Sequence, residues 1–78
     1  MNDPILDKLL ELARKRFGEK AATLQPGDDL YEALAIDSMQ AMDLLTTIED
    51  AFSVEIPDYE MAEVRTLASI ADIVRRRQ

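Results

Sequence analysis

The sequence predicts an all-α fold, an irregular four-helix bundle of three principal helices plus a short third helix, as a single domain over residues 1–78. Three observations point there. Apolar residues make up 47% of the chain, yet it holds two Phe, two Tyr and no Trp, so the core must be built from Leu, Ile, Val, Met and Ala, a composition suited to helices packed on helices. Three segments repeat apolar residues at three- and four-residue spacing, the period of a helix with one buried face. A helix-start residue stands in front of each of them. Seventy-eight residues suffice for one core and are too few for a second.

Asp3-Pro4 reads as an N-cap followed by proline at the first helical position, where the missing N–H costs nothing. Leu6, Leu9, Leu10, Ala13 and Phe17 then form one stripe, Lys15 and Arg16 suit the negative end of the dipole, and Gly18 is placed to end the helix. Residues 19 to about 36 carry Pro26-Gly27 and paired aspartates, with Leu24, Leu30, Leu34 and Ile36 spaced without a clean period. This reads as a long loop pinned by apolar anchors, with room for a helical turn around Leu30 to Leu34; loops of that length in small domains tend to be functional.

Asp37 with Gln40 three residues on has the form of a capping box. The next helix runs from Ser38 to about Ala51, with Ala41, Leu44, Leu45, Ile48 and Phe52 inward and Gln40, Asp43, Thr47 and Asp50 outward. Pro57 disfavours helix at Ile56, and Asp58 can cap a short helix through Met61 to about Val64. Thr66 caps the last helix, whose buried side is Leu67, Ile70, Ala71, Ile73 and Val74, with Arg75, Arg76 and Arg77 at its C-terminal end.

The absence of Cys and His removes disulfides, thiolate metal sites, and the commonest general base and metal ligand. Neither a catalytic residue nor a metal site is expected, and an enzyme is the least supported reading. The start of the chain has no basic stretch leading into an apolar run, and nothing approaches the length of a membrane span, so a cytoplasmic monomer is the expectation. The net charge is −7, and nothing between Lys20 and Arg65 is basic, whereas that interval holds eleven carboxylates. Nucleic acid is disfavoured as a partner, and surfaces rich in Lys and Arg are favoured.

By position alone Ser38 reads first as an ordinary helix-start residue, and it is also the one place where chemistry could sit. At the first position of a helix capped by Asp37, its hydroxyl sits near unsatisfied backbone N–H groups at the positive end of the dipole, a place that tolerates a phosphate. With no His to activate it, the chemistry is done to Ser38 and not by it.

The run Leu34-Ala35-Ile36-Asp37-Ser38-Met39 resembles the Leu-Gly-x-Asp-Ser-Leu attachment motif of the acyl carrier proteins. Downstream, Asp43-Leu44-Leu45, Ile48-Glu49-Asp50-Ala51-Phe52, Glu55-Ile56-Pro57-Asp58 and Val64-Arg65-Thr66-Leu67 resemble the same family's second helix, the turn after it and the entry to its last helix. The resemblance implies an acyl-carrier-like bundle in which 4'-phosphopantetheine is transferred from coenzyme A to Ser38 by a phosphopantetheinyl transferase, with Asp37 beside it. The arm's thiol would then hold an acyl or aminoacyl thioester for ligases, synthases and transferases with basic docking patches. Asp43, Glu49, Asp50 and Asp58 would meet those patches, with Met39 as an exposed apolar anchor.

Two departures stand out. Ala35 occupies the place where the family usually has Gly, and Met39 that of a Leu, an exchange also seen in D-alanine carrier proteins. Thr46 and Thr47 lie where fatty-acid carriers line an acyl cavity; if either faces inward, a short, polar or aminoacyl cargo is favoured over a long one. The expected setting is therefore a polyketide, other secondary-metabolite or specialised fatty-acid pathway. The rival readings are a D-alanine-type aminoacyl carrier and an acidic interaction module of the same fold that is never modified. A calcium site at Asp28, Asp29 and Glu32 lacks the ligand spacing and central glycine of an EF-hand.

Overall fold

The computed structural model describes residues 3–77, with every side chain among them except those of Asp58 and Met61. Helix α1 spans Pro4–Phe17. Its cap is Asp3, whose Oδ1 accepts from the N–H groups of Ile5 and Leu6 at 3.1 and 3.2 Å. Gly18 ends it at φ 60°, ψ −126°, a conformation that a Cβ would strain. A 3₁₀ turn, Gly18–Ala21, follows directly.

The expected long loop is more ordered than its irregular pattern indicated. Besides the 3₁₀ turn it contains a one-turn helix, α2, Leu30–Ala33, capped by Asp29. The apolar anchors explain why: Leu24, Leu30, Leu34 and Ile36 are all buried, so the segment is fastened to the core at four points. Helix α3 spans Ser38–Phe52, one residue longer than expected. Helix α4, Asp58–Met61, is shorter than expected: the chain leaves the helix so that Val64 enters the core, while the Arg65 carbonyl accepts from Leu30 N–H at 2.7 Å. Helix α5 spans Leu67–Arg77, and Thr66 caps it by accepting from Ser69 N–H at 3.1 Å.

The core is one apolar cluster to which every helix from α1 to α3, and α5, contributes, with Leu9, Leu34, Leu44, Ile48, Leu67, Ile70 and Val74 fully buried. Helix α1 packs on α5 and α3, and α2 packs on α3. Burying each such side chain is worth about 1.5–3 kcal/mol, so the helices, individually too short to persist in water, are held by the shared core. Ion pairs fasten the ends: Arg75 bridges Asp3 and Asp72, and Arg77 meets Glu60 at 2.6 Å. No described helix is long and apolar enough to cross a membrane.

A second fastening joins the early segment to the α4–α5 linker. Arg65 Nε donates to Asp29 Oδ2 at 2.7 Å, and its guanidinium carbon lies 4.8 Å from the centroid of the Tyr31 ring. The Arg65 hydrogen bond holds the Asp29 carboxyl below the usual aspartate range, with the Glu32 and Tyr31 amides acting the same way against partial desolvation. A carboxylate whose folded pKa is depressed contributes stability above its unfolded value of about 4, and that contribution is lost as pH falls through the lower folded value. The urea midpoints of wild type and Arg65→Ala should therefore differ most at neutral pH and converge below about pH 4; a gap independent of pH would exclude the Asp29 charge as its source.

Candidate functional site

The turn between α2 and α3 is built from two interlocked end motifs. At the close of α2, Ile36 N–H reaches back to Tyr31 O at 3.3 Å across Ala35, which stands at φ 53°. This is the six-to-one closure of a Schellman motif, with Ala35 in the left-handed position that glycine usually fills. The departure from the family pattern at Ala35 thus falls where a side chain is least welcome, at a cost of about 1–2 kcal/mol for a non-glycine residue. Ile36 is buried and anchors the turn.

Asp37 follows at once in extended conformation, and its Oδ1 accepts from Gln40 N–H at 2.9 Å while Gln40 Oε1 accepts from Asp37 N–H at 3.3 Å. The capping box read from the sequence is formed; such caps are worth about 0.5–2 kcal/mol. It leaves Ser38 as the first residue of α3, exposed, in the turn whose earliest N–H groups have no intrahelical acceptor. A phosphodiester on this hydroxyl would project into solvent beside those donors, so the residues present fit such a group.

Along α3 the exposed face runs through Met39, Met42, Asp43, Thr46 and Asp50, successive neighbours on one helix side. Met39 is 79% exposed and Met42 50%, a degree of apolar exposure that a solvated surface does not require. The sequence pattern had identified Met39 and missed Met42, although its three-residue spacing from Met39 was the signal. Tyr59 on α4, 71% exposed, had no periodicity to reveal it.

The acidic residues divide by role. Asp50 is exposed. Asp43 is exposed too, but its Oδ2 lies 3.2 Å from Arg16 Nη2, so α1 supplies a cation beside it that charge counting along α3 could not show. Glu49 is half-buried and its Oε2 accepts from Ile56 N–H at 2.8 Å, while its carbonyl takes the N–H groups of Ser53 and Val54. Glu49 organises the loop into Pro57 and offers less of its charge to a partner than Asp50 does. The side chain of Asp58 lies outside the described residues. Thr46 is exposed and Thr47 half-buried, and both hydroxyls bond back to carbonyls four residues earlier, Met42 O and Asp43 O. Neither is turned into the core, which removes the condition on which they would have argued against a long cargo. Asp28 and Asp29 also turn to backbone: Asp28 Oδ2 accepts from Gln25 N–H, and Asp29 caps α2.

Residues 7–74 match the family model described as "Phosphopantetheine attachment site". The chain belongs to the acyl carrier protein family. The acyl carrier protein of Rubrobacter xylanophilus is 32% identical over 76 residues, covering 97% of this chain and 94% of the relative. That of Myxococcus xanthus is 32% identical over 72 residues, covering 92% and 91%. Among solved structures, the acyl carrier protein of Thermotoga maritima superposes with a TM-score of 0.79 at 28% identity, over 95% of this chain and 86% of the other. The Enterococcus faecalis acyl carrier protein shares the fold, with a TM-score of 0.78 at 21% identity over 96% and 95%. As an acyl carrier protein the molecule is not an enzyme; it holds 4'-phosphopantetheine covalently and serves synthases, transferases and a phosphopantetheinyl transferase. The carrier's helices, the short α4 included, are those of an all-α acyl carrier fold.

Proposed function

We propose that Ser38 is the residue that receives the arm, that the chain acts as one carrier domain, and that partners dock on the face running from Met39 to Asp50. The observation that carries this is the position of Ser38: an exposed hydroxyl at the start of a fifteen-residue helix, held by the Asp37–Gln40 box. The other two serines are less suited. Ser53 lies in a left-handed turn at the far end of α3, and the Ser69 hydroxyl shares a 2.9 Å hydrogen bond with Thr66. When bound, the arm supplies a thiol for an acyl or aminoacyl thioester; with no Cys in the chain, that thiol is the molecule's sole one.

The deciding experiment is the intact mass before and after incubation with a promiscuous phosphopantetheinyl transferase, coenzyme A and magnesium. One added phosphopantetheine supports the carrier reading; none, with a control carrier loaded in the same tube, turns the interpretation to the unmodified docking module. Charging the loaded protein with acyl and aminoacyl ligases then separates polyketide and specialised fatty-acid cargo from aminoacyl cargo.

The docking face is apolar at its Ser38 end, where Met39 and Met42 stand, and acidic further along at Asp43 and Asp50, an arrangement in which charge governs encounter and the apolar anchor governs residence. Neutralising Asp43 and Asp50 together as Asn should raise the transferase KM roughly three- to tenfold at low salt, with the difference shrinking at about 0.5 M salt. A salt-independent effect would place the loss in packing.

A further inference from the structure

We propose that Arg65, in the linker between α4 and α5, is a positioning residue for Ser38, acting through α2 and the left-handed turn at Ala35. The contacts form an unbroken chain. The Arg65 guanidinium donates to Asp29 Oδ2 and covers the Tyr31 ring, and its carbonyl accepts from Leu30 N–H at 2.7 Å. Asp29 uses its other carboxylate oxygen, Oδ1, to cap α2, 2.9 Å from Tyr31 N–H. Tyr31 O in turn accepts from Ile36 N–H, the bond that closes the turn around Ala35. Asp37 and Ser38 come next, with no intervening residue to absorb a change.

Helix α2 has four residues, too few to persist unaided, and Arg65 grips both its cap and its first turn. Ala35 needs that grip. A non-glycine residue in the left-handed region persists only where its surroundings over-determine it, and alanine has no polar side chain with which to stabilise that conformation locally. With glycine in this place the turn would hold largely by itself; with Ala35, it is held by a residue remote in sequence that packs directly on α2. Once Arg65 is removed, α2 frays and Ala35 relaxes towards negative φ. The Asp37–Ser38 peptide is then re-aimed, and the serine is competent for only part of the time.

This inference rests on Ser38 as the attachment residue, and its test has one arm that does not. In steady-state transfer from coenzyme A, Arg65→Ala should raise the transferase KM for the carrier roughly three- to tenfold with kcat within about twofold, because partial population of the competent form weakens apparent affinity in proportion. Adding Ala35→Gly should restore KM, since glycine adopts the turn without strain. Adding Ser53→Gly instead, which relieves the second left-handed non-glycine position among the described residues, at the far end of α3, should stabilise the fold comparably and leave KM raised. Amide hydrogen exchange, read by NMR with no transferase present, should show Ile36 exchanging about tenfold faster in Arg65→Ala and returning to the wild-type rate with Ala35→Gly. Equal rescue by Ser53→Gly, or unchanged exchange at Ile36, would overturn the proposal. If wild type itself accepts no arm, the carrier reading fails, and the exchange result alone decides whether Arg65 holds the turn.

Discussion

Ser38→Ala should gain no mass on incubation with transferase, coenzyme A and magnesium, while its thermal midpoint should stay within about 3 °C of wild type, as for a neutral surface substitution. Both halves follow from the position. The hydroxyl is the only atom removed, it is exposed, and alanine is the better helix former. The cap that starts α3 belongs to Asp37. Asp37→Ala therefore separates the two roles: it should cost about 1 kcal/mol of stability through the lost cap and slow loading while leaving the acceptor hydroxyl in place. A mass increment on Ser38→Ala, mapped to Ser53 or Ser69, would sink the assignment.

Ile48→Ala should destabilise the carrier by about 3 kcal/mol and lower its thermal midpoint by roughly 12–24 °C, read by calorimetry or circular dichroism. Ile48 is wholly buried in the C-terminal half of α3, in the cluster that joins α3 to α1 and α5. Truncation removes three carbons of buried surface and leaves a void that the surrounding helices can close only in part. A domain of this size has a total stability of about 4–12 kcal/mol, so the loss is a large share of the whole. The same change at Met39, 79% exposed, should leave the midpoint within about 3 °C of wild type, so the pair tests whether the inward and outward faces of α3 are assigned correctly. A midpoint for Ile48→Ala within a few degrees of wild type would show that the core can repack.

The principal helices were legible because their signals are local. Asp3-Pro4 and Gly18 bracket α1, the Asp37–Gln40 box opens α3, and Thr66 opens α5; each depends on residues within four positions of one another, which is the range over which backbone N–H groups are satisfied at a helix end. The place of Ser38 at the start of α3 was legible for the same reason. Short α2 was only half legible, because one turn offers no period to count and one of its fastenings is Arg65, thirty-six residues away from Asp29.

The amino-acid sequence alone determined the all-α class, the inward faces of α1, α3 and α5, the capped serine and the acidic middle of the chain. Tertiary structure alone decided which acids are free to act. Asp43 gains the Arg16 cation from α1, Glu49 is turned to Ile56 N–H, and Asp29 is held by Arg65. It also decided that Ala35 must stand in a left-handed turn. The physical reason is one of range: capping and amphipathic periodicity are settled by neighbours along the chain, whereas the partner of a charge and the strain imposed on a turn are settled by whatever the shared core brings alongside.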